Sequence, residues 1–296
     1  MRCWLLWLFL AGSAWAQPWL ADRVVGHRGS VTIEQVFYPS DGLRIEARLF
    51  RPPGAGPHAG IVYAHDGVHG LSRQSMERCA ELAEHGYVVL APSYRGEDGS
   101  QGVVEVAYGE IDDVLAAATD LARTDGVDAD RLAAIGTSHG ALIVVMAAER
   151  SPVFKAVVEG YGVMDIYRWW SWLKARGYST DDALSRRVYG RGPSDRPAAF
   201  AERDALKHLD RLQAPVLIVQ GGADQTVPPS QADRLAQALR AAGKPFEQLR
   251  YPTEEHGFLI YPGDAASNRR RAEAWDRIRT FLEERLKPAA GRGGTD

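Results

Sequence analysis

Two patterns of hydrophobic and polar residues alternate along most of the chain. Short, almost wholly apolar runs predict β-strands at residues 59–64, 87–92, 131–136, 156–160, 215–221 and 246–251. Segments with apolar residues at helical spacing predict helices at residues 75–85, 108–123, 139–150, 229–242 and 268–286. Strands that are apolar on both faces and alternate with helices are typical of a mostly parallel sheet with helices on both faces. The predicted fold class is therefore α/β.

Two segments depart from this alternation. Residues 31–38 and 43–50 are strand-like and are joined by the turn sequence PSDG, so they predict a hairpin at the edge of the sheet. Residues 162–211 contain the aromatic stretch YRWWSWLKARGY and no clear strand. We expect a small helical cap there, lying over the strand ends and shaping a pocket. The alternative is a surface excursion that its tryptophans anchor to the body.

The two chain ends differ from the rest in composition. Met1 and Arg2 precede an apolar run at 4–10, and Ala14 and Ala16 are the small residues that a signal peptidase reads. This pattern predicts a signal peptide at 1–16 that is cleaved after Ala16, and hence a secreted or periplasmic protein. The apolar run is shorter than the roughly 20 residues that span a bilayer, which disfavours an uncleaved anchor. The glycine-rich segment 288–296 predicts a disordered tail, leaving 17–287 as a single domain.

Composition narrows the function classes. The chain has 296 residues, of which 45% are hydrophobic and 25% are charged, and a net charge of -3. These values suit one large α/β domain, and without a basic excess a nucleic-acid partner is not expected. No later segment predicts a membrane span.

Cys3 and Cys79 are the two cysteines, so the mature chain would have one thiol and no internal disulfide. Nothing in the sequence indicates an oligomeric state.

The stretch AAIGTSHGAL, residues 133–142, contains a candidate nucleophile. Ser138 lies between Gly136 and Gly140, directly after a predicted strand and before a predicted helix. A strand–turn–helix that presents a nucleophile is strained and needs small flanking residues where strand and helix nearly collide. A G-x-S-x-G motif is expected by chance in about one chain in seven of this length. A serine that only caps a helix would not need both glycines, so the context favours a nucleophile elbow.

A nucleophilic serine needs a base and an acid that orients the base. In this architecture both follow the serine in chain order, each in a loop at the carboxyl end of a strand. Asp224 lies in PVLIVQGGADQTVPP and His256 lies in FEQLRYPTEEHGFLI, and both positions satisfy that order. The rival acids fit less well, since Asp210 precedes its strand and Asp264 follows the histidine. The sequence therefore predicts a triad of Ser138, Asp224 and His256.

The developing oxyanion of acyl transfer needs donors that are already in place. We expect the backbone N–H of His139, more than its imidazole, to be one donor, and Gly67 in the loop HDGVHG to supply the other. The same loop allows a competing hypothesis of a metal site built from His65, Asp66 and His69. Three ligands so close in one loop are a weak signal, and we expect His65 instead to hold the loop by hydrogen bonding. No metal and no cofactor are predicted.

Several segments, taken together, resemble a known family. They are APSYRGEDGSQG, GEIDDVLAAATDLA, the stretch around Ser138, and the two stretches around Asp224 and His256. In order and spacing they are similar to the α/β-hydrolases, and more narrowly to the catalytic domain of the prolyl oligopeptidase and acylaminoacyl-peptidase family. The resemblance covers most of residues 87–258. It implies a serine hydrolase that forms an acyl-enzyme, with these three residues as its triad.

Two features depart from that family. We expect no counterpart of the family's β-propeller, which restricts entry to short peptides, in the short sequence upstream. The stretch YAHDGVHGLS differs from an H-G-G-P loop and is similar to the H-E-x-x-G-x-N stretch of dienelactone hydrolases, which use cysteine where this chain has Ser138. Both families would place the second oxyanion donor at Gly67, with Asp66 in a supporting polar role near the nucleophile.

The expected substrate is a small molecule or a short peptide, and three interpretations remain open. The first is a peptidase resembling prolyl oligopeptidase without a propeller. The second is a small-substrate carboxylesterase similar to dienelactone hydrolases. The third, from a different class, is a catalytically idle binding protein on a hydrolase scaffold.

Overall fold

A nine-stranded sheet forms the centre of the computed structural model, which describes residues 19–288. The predicted signal peptide and nearly all of the predicted tail lie outside those residues. The strands are Ala21–Arg28 (β1), Val31–Ser40 (β2), Leu43–Arg51 (β3), His58–Ala64 (β4), Val88–Ser93 (β5), Val127–Thr137 (β6), Ala156–Gly160 (β7), Val216–Gly221 (β8) and Phe246–Tyr251 (β9). Their order across the sheet is β1-β2-β3-β5-β4-β6-β7-β8-β9. Pairing is antiparallel from β1 to β5 and parallel from β5 to β9.

Helices cover both faces of the sheet. They are Arg73–Glu84 (α1), Gly109–Ala122 (α2), His139–Arg150 (α3), Ile166–Ala175 (α4), Ala183–Tyr189 (α5), Pro197–Ala201 (α6), Ser230–Ala241 (α7) and Ala265–Arg285 (α8). Successive strand residues point to opposite faces, so Val157 belongs to the apolar cluster that includes residues of α2, α3 and α7, whereas Val158 belongs to the cluster that includes residues of α1 and α8. No helix within residues 19–288 is long and apolar enough to cross a membrane. The predicted α/β fold class is confirmed, and the predicted strands and helices are present with differences at their ends.

The edge of the sheet differs from the prediction. The hairpin of β2 and β3 forms as expected, but β1 pairs with the outer side of β2 and is itself the edge strand. The sequence of β1, ADRVVGHR, lies almost entirely exposed, and its register shifts between Val24 and Gly26. A strand that buries neither face has no alternation of apolar and polar residues, which is why the pattern did not reveal it.

The segment at 162–211 is a packed helical unit. It contains α4, α5, α6 and a short 3₁₀ turn, Leu209–Arg211. Trp170, Tyr189 and Phe200 form a small apolar cluster of their own, with the Trp170 and Phe200 rings 5.2 Å apart and edge-on. The unit is attached to the body through Gln231 of α7, whose amide oxygen accepts the backbone N–H groups of Met164 and Asp165. The start of α4 is therefore fixed to α7.

Among the buried carboxyl groups of the described residues, Glu159 lacks a charged partner. Glu159, near the end of β7, has no exposed surface. Its Oε1 accepts the Gly162 N–H at 2.5 Å, and its Oε2 has no hydrogen-bond partner within the described residues. Burial raises the pKa of Glu159 from 4.5 to about 8. The side chain is therefore neutral at pH 7 in the folded protein, although it would be charged in the unfolded chain.

This burial predicts how stability depends on pH. Between pH 4.5 and about 8 the folded state holds a proton that the unfolded chain releases, so the free energy of unfolding falls as pH rises through that window. Glu159→Gln keeps an acceptor for Gly162 and cannot ionise. We expect the variant to exceed the wild type in stability by a margin that grows from pH 5 to pH 8. The margin should reach a few kcal/mol, because one pKa unit is worth about 1.4 kcal/mol.

Urea unfolding at pH 5, 6.5 and 8 measures the effect. Glu283→Gln, at an exposed position in α8, is the matched control and should show no growing margin. A margin for Glu159→Gln that stays constant across these pH values would contradict the prediction.

Candidate active site

Ser138 occupies a strained turn between β6 and α3. Its φ is +52° and its ψ is −114°, a conformation that residues with a side chain rarely adopt. A Cβ on Gly136 would collide with the Gly140 carbonyl, and a Cβ on Gly140 would collide with the Ala64 carbonyl of β4. The Ser138 N–H donates to the Gly160 carbonyl at 2.8 Å, which holds the turn against β7. The local geometry is that of a nucleophile elbow.

The structure brings Ser138, Asp224 and His256 together. Asp224 follows β8 and His256 follows β9, and the His256 Nδ1 lies 2.8 Å from the Asp224 Oδ2. Because a carboxylate oxygen accepts, Nδ1 carries the proton and Nε2 is left to accept from a hydroxyl. Nε2 lies 2.9 Å from the Ser138 Oγ. A serine hydroxyl thus donates to an imidazole that a carboxylate orients, the arrangement in which a base can remove the serine proton.

The acid is held by its own loop. The Asp224 Oδ1 accepts the backbone N–H groups of Thr226 and Val227, both at 2.8 Å, and the Gln220 amide donates to Oδ2 at 3.3 Å. These donors compensate for removing a carboxylate from water, since Asp224 is 2% exposed. The loop after β8 carries Asp224 (the acid loop), and the loop after β9 carries His256 (the base loop). The two loops are also joined directly, because the Ala223 N–H donates to the Glu254 carbonyl at 2.9 Å. The Asp224–His256 geometry is therefore set by backbone as well as by side chains.

Both candidate oxyanion donors lie beside the elbow. His139 is the first residue of α3, and N–H groups at a helix start have no partner within the helix. Gly67 is exposed in the loop after β4, and no other atom comes within 4 Å of where a Cβ would stand. The His139 Nδ1 donates to the Gly67 carbonyl at 2.8 Å, and burial lowers the pKa of His139, which keeps this imidazole neutral. The imidazole therefore connects the two donors, a role that the sequence interpretation gave less weight.

His65 holds the same loop from inside the protein. It is fully buried, its Nδ1 donates to the Asp66 carbonyl at 2.8 Å, and its Nε2 lies 3.0 Å from the Glu97 Oε2. The Tyr94 ring stacks on it with 4.3 Å between ring centres. The C=O and N–H of a trans peptide point in opposite directions. Holding the Asp66 carbonyl toward His65 therefore turns the Gly67 N–H away from the buried side.

The competing metal hypothesis has no support in the geometry of the loop. Both nitrogens of His65 face protein groups, and the hydrogen bonds of the Asp66 carboxylate run to Tyr261 and Ser75. Throughout residues 19–288, no group of three or more His, Cys, Asp or Glu side chains is placed to hold a metal ion. Asp66 lies near the candidate site, but its hydrogen bonds with Tyr261 and Ser75 direct its carboxylate toward the base loop and α1.

The sequence did not reveal every residue around the triad. Tyr161 has a φ of +46°, and its ring packs edge-on against the His256 imidazole with 4.9 Å between ring centres. The glycines in EGYG, after β7, could have indicated a sharp turn there, but no local pattern indicated Glu97 or Tyr261. A cavity of about 350 Å³ opens beside His256, with Phe258 and Tyr261 in its wall.

The helical cap contacts the acid loop directly. The Trp169 indole N–H donates to the Thr226 carbonyl at 3.2 Å, and Arg176 donates to the Gln225 side chain at 2.8 Å. A slightly larger cavity, about 380 Å³, lies at the far end of α3 around Glu149. Glu149 lies eleven positions after Ser138, or roughly 16 Å along the helix at 1.5 Å per residue. The cavity beside His256, by contrast, has that histidine in its wall.

Comparisons with known proteins identify the family and the fold of the chain. The sequence profile of the prolyl oligopeptidase family matches residues 73–288. The "Uncharacterized peptidase YtmA" of Bacillus subtilis is 28% identical over 77% of this chain and 87% of its own length. Among solved structures, the acylaminoacyl peptidase of Pyrococcus horikoshii has a TM-score of 0.75 at 19% identity, over 89% of this chain. A putative dienelactone hydrolase of Klebsiella pneumoniae has a TM-score of 0.64 at 22% identity, over 86% of this chain and 100% of its own.

These matches differ in how much of each relative they span. The chain corresponds to 43% of the length of the Pyrococcus enzyme but to 87% of the Bacillus protein. At their level of identity, the two solved structures establish the fold alone. The sequence profile covers most of the chain and includes all three triad positions. The chain therefore belongs to the prolyl oligopeptidase family and is a serine hydrolase with the α/β-hydrolase fold.

Proposed function

We propose that this hydrolase cleaves an acyl bond of a short peptide or small molecule through an acyl-enzyme on Ser138. The observation that carries the proposal is the unbroken hydrogen-bonded series from Asp224 through His256 to Ser138, at 2.8 and 2.9 Å. A non-catalytic binding protein would not need an activated serine in a strained turn. The complete series therefore disfavours the binding-protein alternative.

The geometry supports a two-step reaction. The Ser138 Oγ attacks the substrate carbonyl while the His256 Nε2 takes its proton, and the backbone N–H groups of His139 and Gly67 stabilise the resulting oxyanion. His256 then gives the proton to the leaving group, which departs and leaves an ester on Ser138. In the second step His256 removes a proton from water, which attacks the ester. Collapse of the second oxyanion releases the acid and restores the serine hydroxyl.

Two observations favour different acyl bonds. The family membership favours a peptidase, as does the resemblance to the uncharacterized peptidase YtmA, which covers 87% of that protein's length. The loop around Gly67 is similar to that of dienelactone hydrolases, and a putative dienelactone hydrolase is among the structural neighbours. We propose peptide or amide hydrolysis as the primary activity and hydrolysis of small esters as the second candidate.

The nucleophile assignment predicts the outcome of covalent labelling. A fluorophosphonate probe should label the wild type stoichiometrically, because the activated Oγ displaces fluoride from phosphorus. Ser138→Ala should not be labelled, whereas Ser171→Ala, at an exposed serine in α4, should be labelled like the wild type. Intact-protein mass spectrometry measures the added mass. An unlabelled wild type would refute the proposed function, and persistent labelling of Ser138→Ala would refute the site.

The acid assignment predicts a loss of rate. In Asp224→Asn, the amide oxygen can take the place of Oδ1 and still accept from the Thr226 and Val227 N–H groups. The amide NH₂ then takes the place of Oδ2 and faces the His256 Nδ1, where it donates and cannot accept. The imidazole then favours the wrong tautomer, so we expect kcat to fall by about 10⁴-fold. Initial rates on p-nitrophenyl acetate provide the measurement. Asp233→Asn, an exposed carboxylate of α7, is the control, and a loss below about tenfold in Asp224→Asn would contradict the assignment.

Rates on paired chromogenic substrates separate the two candidate activities. We expect cleavage of aminoacyl-p-nitroanilides and also of p-nitrophenyl acyl esters. Activated esters are intrinsically more reactive than anilides, so a peptidase site that cleaves anilides cleaves them as well. Each kcat/KM is divided by the uncatalysed rate constant of the same substrate. A larger ratio for the anilides is the expected result. Cleavage restricted to the esters would contradict the peptidase proposal and favour the esterase.

A further inference from the structure

Tyr261 connects the loop that carries His256 to the loop that carries Gly67. Its hydroxyl donates to the Asp66 Oδ2 at 2.7 Å, across 195 residues of sequence. Asp66 immediately precedes Gly67, and Tyr261 lies five residues after His256. The contact therefore joins the segment that supplies a candidate oxyanion donor to the segment that supplies the candidate base.

The Tyr261 ring is held in place at its own end. Its backbone N–H donates to the Gly257 carbonyl at 2.9 Å, which closes a tight turn directly after His256. The ring lies over Gly257, where a Cβ would come within 2.8 Å of it. A hydroxyl on a ring fixed in this way acts as a rigid extension of the base loop.

At the other end, besides Ser75, whose hydroxyl donates to the Asp66 Oδ1 at 3.4 Å, three side chains hold the segment Asp66–Gly67. His65 donates to the Asp66 carbonyl, His139 donates to the Gly67 carbonyl, and Tyr261 donates to the Asp66 carboxylate. The first two act from the buried side and from the elbow. Tyr261 is the contact that comes from the base loop, and it binds the one charged group of the segment.

The protonation state of Tyr261 suits this contact. Burial, together with the hydrogen bond to Asp66 and its charge, raises the pKa of Tyr261 to about 12. The hydroxyl therefore keeps its proton at neutral pH and donates a hydrogen bond to the Asp66 carboxylate, which can only accept. Held by that donor, the Asp66 carboxylate cannot swing toward the position where a negative oxyanion develops, which it would destabilise by like-charge repulsion.

We propose that Tyr261 is a positioning residue that fixes the Gly67 N–H relative to His256 by binding Asp66. The proposal rests on the proposed function, because it assigns Tyr261 to the oxyanion side of that reaction. Tyr261 need not touch substrate. Its effect should be greatest where the oxyanion is formed and small where substrate is merely bound.

Tyr261→Phe tests the proposal, because it keeps the ring over Gly257 and removes only the hydroxyl. Loss of a whole oxyanion donor costs about 10²–10³ in kcat, so a misplaced donor should cost about tenfold. We expect kcat on p-nitrophenyl acetate to fall about tenfold while KM changes less than about twofold. An alkyl trifluoromethyl ketone, which forms an oxyanion adduct with the serine, should bind about tenfold more weakly. Tyr178→Phe, at a tyrosine with similar exposure in the cap, is the matched control.

Substitutions of Asp66 separate positioning from general destabilisation. Asp66→Asn retains an oxygen that can accept from Tyr261 and should keep kcat within about threefold of the wild type. Asp66→Ala should be at least as slow as Tyr261→Phe, because it also removes the contact with Ser75. The double variant should be no slower than Asp66→Ala, because the contact between Tyr261 and Asp66 is already absent in that variant. Melting temperatures of all variants verify that each is folded.

The outcomes distinguish the positioning role of Tyr261 from the proposed function on which it rests. A wild type that the fluorophosphonate does not label would overturn both. If the wild type is labelled and Tyr261→Phe keeps its kcat and its affinity for the ketone, the positioning role alone is wrong. Additive losses in the double variant would likewise overturn it, because independent effects would then be acting at the two positions.

Discussion

The strained turn at Ser138 is the constraint on which the rest of the site depends. A residue with a side chain at φ +52° costs on the order of 1–3 kcal/mol, so surrounding contacts must hold it there. Helix α3, which starts at this turn, is buried along nearly its whole length, from Gly140 to Glu149. On the opposite side, the Ser138 N–H bonds to β7. Burial of the helix and pairing of the strand together stabilise a conformation that the serine alone would not adopt.

Three loops meet at this turn because parallel strands end at one edge of the sheet. The loops after β4, β8 and β9 carry Gly67, Asp224 and His256, and each is bonded to a neighbour rather than standing alone. His139 joins the elbow to the first loop, and the Ala223 backbone joins the second loop to the third. Misplacing any one loop would therefore disturb the others, which keeps the reacting groups within hydrogen-bond distance.

The meeting of the three candidate residues could be predicted from sequence because each lies next to a strong local pattern. Ser138, Asp224 and His256 each follow a short apolar strand, and the shared strand direction places all three at one edge. The missed contacts join distant segments, with 72 residues between Gly67 and His139 and 195 between Asp66 and Tyr261. No local periodicity specifies which side chains meet across such distances. Strand β1 escaped prediction for a different reason, since it buries neither face.

The cap shows why reaction class is easier to infer than substrate. The chemistry depends on backbone positions that short motifs specify, whereas nothing in the sequence of the cap specifies which of its side chains would face a substrate. Here the cap is bonded on two sides, through Trp169 of α4 to the acid loop and through Arg203, after α6, to the backbone of Glu105 and Val106. The Arg187 side chain of α5 also donates to the Val104 carbonyl, so α4, α5 and the segment after α6 each contact the body. Of these contacts, the one through Trp169 reaches the loop that holds Asp224, so a shift at α4 is the one that would act on the candidate acid most directly.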